Sequence, residues 1–337
     1  MSSVNIIQLA NYLGLSKSTV SRALKDSHEI SHATKQRVFE AAKELNYQPN
    51  PYASSLRKHN SKTIAVVLPQ VDNNFFATAI KGIQSVARER DYHVLLYLTY
   101  DDPEKEAAIF RMLESGRVDG VILSVVSKED NIEHVKEMIQ MGKPVVFIDR
   151  VCENIEATKI TTDDVESAFR ATELLINKGC KRIAYMYVLR DFSVGRRRYE
   201  GYLKALKQYG LEFDESLVVN GTQDYDSNFQ LIKKLLQSKN RPDGILSPVE
   251  KMAITSYYVC EELSLSIPKD IKIISYSNLS FASLLSPSLT TVVPPAFEMG
   301  VKAATLMLNS FEKKKYKLLN EEIILPAIIE ERKSTAK

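Results

Sequence analysis

Four side chains that could hydrogen-bond to DNA lie close together near the start of the sequence, namely Lys17, Ser18, Ser21 and Arg22. Their ammonium, hydroxyl and guanidinium groups can donate to the acceptor atoms of base edges in the major groove. A short helix that presents such donors near its N-terminal end is typical of a major-groove reader. A solvated surface helix is the alternative interpretation of a segment rich in Ser, Thr and Lys.

The residues before this segment predict a helix and a turn. Ile6, Leu9, Ala10 and Leu13 have the spacing of one apolar helix face. Gly14 then allows a tight turn, because glycine accepts backbone conformations that other residues avoid.

Two further helices follow from capping and periodicity. Ser16 is a suitable N-cap for the helix that carries the donors, and Ser31 is suitable for a third helix. The side chains expected to point inward are apolar, and they are Val20, Ala23, Leu24, Val38, Ala41, Ala42 and Leu45. The pattern predicts an all-α helix-turn-helix domain over residues 1–49.

Charge is unevenly distributed along the 337 residues. The whole chain has a formal net charge of +3, from 45 Lys and Arg against 42 Asp and Glu. Residues 1–60 hold eight Lys and Arg against four Asp and Glu, which gives +4 and leaves −1 for the remainder. Positive potential is therefore concentrated where phosphate binding would use it.

The sequence predicts a cytoplasmic protein with no membrane partner. It shows no signal peptide and no run of eighteen apolar residues. Cys152, Cys180 and Cys260 are widely spaced and odd in number, which indicates buried, reduced thiols.

No catalytic, cofactor or metal motif is found, so we do not expect an enzyme. The five histidines lack ligand spacing, and the Gly-x-Ser-x-Gly, Gly-x-Gly-x-x-Gly and Walker A patterns are absent. Asp163 and Asp164 form a carboxylate pair directly before a predicted helix, for which N-capping is the favoured interpretation.

From residue 63 onward, apolar runs alternate with helical patterns, which predicts an α/β core of two doubly wound parallel-sheet halves. The predicted strands cover residues 64–68, 94–98, 120–123, 145–148, 182–186, 216–219, 244–246 and 271–275. A final strand at 289–293 and a helix near 296–311 should cross back to the first half. A cleft between two such halves is a common ligand site. No leucine heptad follows the last helix, so we expect no C-terminal coiled coil.

Three segments carry a resemblance to a known family: Leu15 to Arg22, Glu44 to Pro51 and Ala53 to Arg57. They are similar to the LacI–GalR family of bacterial transcription regulators, and the resemblance extends over nearly the whole chain. It implies a helix-turn-helix domain, a hinge helix and linker at 50–61, and a periplasmic-binding-protein-like core at 62–333. Within that core we expect an N-subdomain of about 62–161 and 292–320, and a C-subdomain of about 162–291 and 321–333.

The function implied is that of a ligand-responsive repressor, which binds a near-palindromic double-stranded DNA operator as a homodimer. Its effector would be a small molecule, either a sugar or a sugar derivative. A solute-binding protein without gene regulation is the alternative, and the first sixty residues and the missing signal peptide argue against it.

The DNA contacts follow from the reader helix and from the resemblance. Lys17, Ser18 and Arg22 are expected to contact bases, and Leu56 to wedge into a minor-groove step unless it packs on the core instead. The full set of expected DNA-binding residues is Asn5, Ser16, Lys17, Ser18, Thr19, Ser21, Arg22, Tyr47, Asn50, Ala53 and Leu56.

The resemblance also implies five effector-binding residues: Phe75, Ser124, Asp149, Arg198 and Ser277. Phe75 could stack on a sugar ring or belong to the core. Arg198 lies in an Arg-x-x-Gly-aromatic motif whose arginine bonds a ligand, and Asp149 ends a strand that faces the cleft.

The chain departs from the family pattern in the cleft. Ser277 replaces the usual Asp, and Val249-Glu250 replaces Asn-Asp. These changes predict a less acidic and less polar cleft. They favour an effector with an anionic or apolar part over a plain hexose, although the sequence does not decide between them.

Overall fold

A computed structural model describes residues 4–47, 61–126, 131–222, 224–313 and 316–336. The contacts divide the chain into two compact units, Met1–Ser61 and Lys62–Lys337. Each unit is described by itself.

The described part of the N-terminal unit contains the predicted helices α1 (Ile6–Leu13), α2 (Lys17–Leu24) and α3 (His32–Glu44). The hydroxyls of Ser16 and Ser31 accept hydrogen bonds from the backbone N–H of Thr19 and Thr34. Both predicted N-caps are therefore confirmed. Gly14 ends α1 in the left-handed conformation, with φ of 64°.

A small apolar core joins these helices. The inward side chains that are buried are Leu9, Ala10, Val20, Ala23, Val38, Ala41 and Ala42. The spacing argument therefore identified the helix faces correctly, because a bundle this small can bury only one face of each helix.

The second unit contains, within the described residues, two six-stranded sheets. The strands of the first sheet are all parallel and follow the order β11-β5-β4-β3-β1-β2. These strands are β1 (Thr63–Leu68), β2 (His93–Leu98), β3 (Gly120–Leu123), β4 (Val145–Ile148), β5 (Thr158–Thr162) and β11 (Glu322–Leu325).

The second sheet has the order β12-β10-β9-β8-β6-β7, in which only the pairing of β12 with β10 is antiparallel among the described strands. These strands are β6 (Ile183–Tyr187), β7 (Val218–Asn220), β8 (Gly244–Ser247), β9 (Lys272–Tyr276), β10 (Thr290–Val293) and β12 (Ile328–Glu330).

Helices cover both sheets, as expected for doubly wound parallel strands. In chain order they are α4 (Asn74–Glu89), α5 (Pro103–Leu113), α6 (Glu133–Gln140), α7 (Asp164–Asn177), α8 (Ser193–Gln208), α9 (Tyr225–Leu236), α10 (Glu250–Glu262) and α11 (Ala296–Glu312). Helix α11 packs against α4 in the first half, as predicted, but the strand before it, β10, was wrongly expected there, since it pairs with β9 in the second sheet.

The predicted subdomain boundaries were wrong near the end of the chain. Residues 321–333 were assigned to the second half, but Glu322–Leu325 pairs with Thr158–Thr162 in the first sheet. Thr158–Thr162 was not predicted as a strand, because it lacks an apolar run. Its buried hydroxyls are instead paired, Thr158 with Leu319 O at 2.6 Å and Thr161 with Glu322 Oε1 at 2.7 Å.

Asp163 joins two of the segments that cross between the halves. Its backbone N–H donates to Leu325 O, and its Oδ1 accepts from the N–H of Ala327 at 2.7 Å. Arg170 donates to Oδ2 of the same carboxylate at 2.9 Å. Asp163 therefore stabilises the connection between the halves, because it binds the segment around residues 325–327 that leads from the first sheet to the second.

The three cysteines are buried with free thiols, as predicted. No helix within the described ranges is both long and apolar enough to cross a membrane. Residues 4–47, 61–126, 131–222, 224–313 and 316–336 hold no group of three or more His, Cys, Asp or Glu arranged for a metal ion.

Candidate functional site

The reader helix α2 presents its polar side chains as predicted. Lys17, Ser18 and Arg22 are exposed, whereas Thr19 and Ser21 are half-buried. Arg22 forms an exposed ion pair with Glu29, with 2.8 Å between Nη1 and Oε2. An exposed pair of this kind contributes little to stability, so it leaves the guanidinium available for another acceptor.

Asn5 and Tyr47 have structural roles that the sequence analysis did not assign. Asn5 caps α1, since its Oδ1 accepts from the N–H of Ile7 and Gln8, while the Gln8 side chain accepts from the Asn5 N–H. Tyr47 is half-buried against the small core. The predicted contacts of Asn50, Ala53 and Leu56 lie outside the described residues.

A cavity of about 490 Å³ lies between the two halves of the second unit. Its walls come from the segments that follow the carboxyl ends of strands in both sheets, where doubly wound folds bind ligands. Four of the five predicted effector residues line it, and they are Phe75, Asp149, Arg198 and Ser277.

Ser124, the fifth predicted residue, is not among the residues that line this cavity. Its side chain is completely buried. Ser124 directly follows β3, as predicted, and the next residues, Val125 and Val126, are buried as well.

Arg198 is fixed by several contacts at once. Its Nε donates to Asp164 Oδ1 at 2.8 Å, and its Nη1 donates to the carbonyl of Pro248 at 2.7 Å. The guanidinium also stacks 3.8 Å from the ring centroid of Tyr276. The side chain is therefore held rigidly in the cavity wall, as its planar fork permits.

The Arg-x-x-Gly spacing explains how this contact arises. Arg198 and Gly201 lie on one face of α8, and a Cβ on Gly201 would come within 2.1 Å of the carbonyl oxygen of Val165. Only glycine therefore lets α8 approach the start of α7 closely enough for Arg198 to reach Asp164.

The predicted capping role of Asp163 and Asp164 was wrong. Asp163 occupies the N-cap position of α7 but makes no capping hydrogen bond with its side chain. Its carboxylate binds Ala327 and Arg170, and that of Asp164 binds Arg198. Long-range partners outcompete the local backbone here, because buried charges require counter-charges.

The ionisation of this pair is set by burial. Burial raises the pKa of Asp164 to about 6, even though the charge and hydrogen bond of Arg198 oppose the rise. Burial alone would lower the pKa of Arg198, but the charge of Asp164 keeps it above its usual value. Both groups are therefore charged at neutral pH.

Asp149 and Arg150 form the opposite wall. Asp149 has a left-handed φ of 65° and accepts no side-chain hydrogen bond from another described residue. Burial raises its pKa, against the charges of Arg198 and Arg150. Arg150 pairs with Asp101 and stacks 4.2 Å from the ring centroid of Phe192, which belongs to the second half.

Phe75 combines the two roles that the sequence left open, and its neighbour Phe76 shares them. Both are largely buried, with exposed fractions of 9% and 2%, and both also line the cavity. Their rings meet edge to face at 5.3 Å between centroids. They therefore provide a rigid apolar surface that also belongs to the core.

Glu250 places a carboxylate beside Ser277, the position where the family usually has an Asp. The Ser277 hydroxyl donates to Glu250 Oε2 at 2.5 Å, and the Asn74 amide donates to Oε1 at 2.7 Å. Glu250 directly precedes Lys251 and comes from a different segment of the chain than Ser277. Only the tertiary structure could bring this carboxylate to that position.

Each cation in the described cavity wall already has an acidic partner. Arg150 pairs with Asp101, Arg198 with Asp164, and Lys251 with Asp72 at 3.0 Å. Asp149 and Glu250 are the lining carboxylates without a cationic partner at ion-pair distance among the described residues. The cavity therefore offers hydrogen-bond acceptors beside apolar rings, rather than an uncommitted positive charge.

The fold and the two sites define a DNA-binding regulator in which a helix-turn-helix unit is joined to a two-half ligand-binding domain. Two family models match the chain. Residues 5–50 match bacterial regulatory proteins of the lacI family, and residues 61–326 match periplasmic binding proteins and the sugar-binding domain of the LacI family.

Individual proteins agree with these matches. The probable HTH-type transcriptional repressor ExuR of Bacillus subtilis is 33% identical over 313 residues, which cover 91% of each chain. The lac repressor dimer bound to operator and the anti-inducer ONPF has the same fold, with a TM-score of 0.88 over all of both chains at 22% identity. A LacI family regulator of Enterococcus faecium with bound ribose is 27% identical, with a TM-score of 0.70 over 81% of this chain and 98% of that one.

The chain belongs to the LacI family of bacterial regulatory proteins. It is a DNA-binding transcription regulator with a domain for a small-molecule effector, and it is not an enzyme.

Proposed function

We propose that this regulator is a cytoplasmic homodimeric repressor whose effector is a neutral, hydroxyl-rich sugar bound in the cavity between the two halves. The pairing of each cation in the described cavity wall carries this proposal. An anionic effector that paired with Arg150 or Arg198 would compete with the aspartate that each already binds, and uncovering a buried charge is strongly unfavourable.

The remaining groups of the cavity suit hydroxyls and a sugar ring. Asp149 and Glu250 offer carboxylate oxygens, and the buried Oδ1 of Asn278 accepts no hydrogen bond within the described residues. Phe75 offers an apolar edge against which the C–H face of a ring can pack. The Enterococcus faecium regulator with bound ribose supports the same class of ligand.

Exposed apolar side chains support a homodimer. In the first half, Leu95 and Leu96 lie on β2, an edge strand of the described sheet, with exposed fractions of 37% and 41%. In the second half, Phe281 and Leu284 are 50% and 81% exposed. Edge strands and apolar patches of this kind are usually covered by a partner.

Calorimetric titration of the full chain tests the effector class. Neutral pentoses, hexoses and disaccharides should be compared with the matching sugar phosphates and sugar acids. We expect a neutral sugar to bind most tightly and to change operator affinity. Tighter binding of a phosphate or acid would refute the proposal and would support the anionic effector favoured by the sequence.

Sedimentation tests the dimer. Leu284→Glu and Leu96→Glu should each shift the equilibrium toward monomer, whereas Leu319→Glu, at another exposed leucine, is the control. An unchanged dimer in both variants would show that the subunits associate through other surfaces.

A further inference from the structure

The carboxylate of Glu250, in the cavity wall, accepts a hydrogen bond from one neutral donor in each half of the domain. Its Oε1 accepts from Asn74 Nδ2 at 2.7 Å, and Asn74 begins α4 in the first half. Its Oε2 accepts from Ser277 Oγ at 2.5 Å, and Ser277 follows β9 in the second half. The geometry of this carboxylate therefore depends on the closure of the cleft.

The two donors leave the carboxylate with further capacity. A carboxylate has about four lone-pair directions, so two remain after Asn74 and Ser277 have bound. Glu250 lines the cavity, and as the first residue of α10 it lies where a helix stabilises negative charge. It can accept ligand hydroxyls without giving up either of its protein partners.

A second contact at the same rim differs in its environment. Lys251 pairs with Asp72 of the first half at 3.0 Å, but their side chains are 63% and 62% exposed. A pair this exposed is screened by water and contributes little. The half-buried Glu250 contact is therefore the stronger connection between the halves at this rim.

We propose that Glu250 couples effector recognition to cleft closure. Its carboxylate connects the two halves before the effector binds, and the closed arrangement orients its remaining lone pairs toward the hydroxyls of the ligand. This proposal rests on the neutral-sugar effector proposed above. It makes Glu250 a residue that determines specificity for hydroxyl-bearing ligands and sets the ligand-free population of the closed state.

Closure without ligand can be measured as a distance between the halves. Spin labels at Arg88→Cys and Gln237→Cys report this distance in the full chain, diluted with unlabelled chain to suppress contacts within a dimer. Both positions are exposed, whereas the native thiols are buried. We expect Glu250→Ala and Asn74→Ala to lengthen and broaden the distance distribution, and Glu250→Gln to change it less, because the amide keeps one acceptor and gains a donor.

Affinity for the neutral sugar that binds the wild-type chain most tightly is the second measurement. Two charge-assisted hydrogen bonds are lost in Glu250→Ala, so we expect at least about tenfold weaker binding. Glu250→Gln should also bind the sugar more weakly, although its cleft stays closed. Lys204→Ala is the control, because Lys204 pairs with Glu200 at an exposed site outside the cavity lining, and we expect less than about a twofold change in affinity.

The outcomes separate this inference from the proposed function. If no neutral sugar binds the wild-type chain, the proposed effector class fails. If a sugar binds equally well to wild type and Glu250→Ala, or if the ligand-free distance is the same in both, the coupling role of Glu250 is wrong while the effector class stands. Unfolding of Glu250→Ala is detected by circular dichroism, and Glu250→Gln then provides the decisive affinity.

Discussion

Arg198 donates from Nε to Oδ1 of Asp164 at 2.8 Å, and the two side chains are only 6% and 3% exposed. The pair connects the Arg-x-x-Gly motif of α8 to the first residue of α7. It also places a titratable group with a pKa of about 6 in the wall beside the cavity.

The first prediction concerns the pH dependence of stability. Because burial raises the folded pKa of Asp164 from 3.8 to about 6, the folded state binds more protons than the unfolded state between these values. Stability from this group therefore falls as the pH rises from about 4 to about 6, and is constant above that range.

Asp164→Asn removes this titration. The free energy of unfolding of the wild type, relative to the variant, should decrease by about 2 to 3 kcal/mol between pH 4 and pH 7. Urea unfolding at several pH values measures the difference. A difference that stays constant over this range would show that Asp164 titrates alike in both states.

The second prediction concerns effector response through Arg198. Alanine at this position would leave Asp164 buried without its counter-charge, at a cost of about 3 to 5 kcal/mol, so loss of folding would obscure the result. Arg198→Lys keeps the charge but cannot bond Asp164 and Pro248 together with the same fork. We expect effector affinity to fall about 10- to 100-fold, with operator affinity of the ligand-free protein unchanged.

Arg182→Lys is the matched control for Arg198→Lys, since Arg182 pairs with Asp214 in the same half at a partly exposed site. Its effector affinity should stay close to the wild-type value. Equal losses in both variants would indicate a general effect on the second half rather than a role of Arg198.

The third prediction concerns base reading by Arg22. Arg22→Ala should weaken binding to the cognate operator by about 1 to 3 kcal/mol and leave binding to random DNA nearly unchanged. Glu29→Gln removes the ion-pair partner of Arg22 and should not weaken operator binding. Quantitative gel-shift titrations on both DNAs measure this. Equal losses of Arg22→Ala on the two DNAs would identify Arg22 as a phosphate contact.

The fourth prediction concerns Leu56, which lies outside the described residues. An apolar wedge in the minor groove unstacks a base step and bends the duplex. Leu56→Ala should therefore weaken operator binding and reduce the bend, as measured by circular-permutation gel assay. A full-size bend in the variant would return Leu56 to a packing role against the core.

Local features of the sequence determined the helix-turn-helix unit and most of the strands. Ser16 and Ser31 cap helices because the hydroxyl of an N-cap residue reaches the backbone N–H three residues later without help from distant parts of the chain. The run from Ile64 to Leu68 is buried in β1 because a parallel strand covered on both faces must be apolar throughout.

The sequence was less informative where partners are distant along the chain. The strand Thr158–Thr162 is stabilised by hydroxyl contacts with residues near 320, so its own composition lacks a strand signal. Asp164 was interpreted as a cap because the sequence pattern shows only its neighbours along the chain. The contact with Arg198, 34 residues away, leaves no signal in that pattern.

The charge of the cavity was also decided by tertiary structure alone. Ser277 and Glu250 are 27 residues apart, and no pattern in the sequence shows that one hydroxyl and one carboxylate meet at 2.5 Å. Residue types and spacing determined the family, the reader helix and four of the cavity residues. The pairing of each charge depended on packing, because electrostatic energies are set by distance and burial in space rather than by separation along the chain.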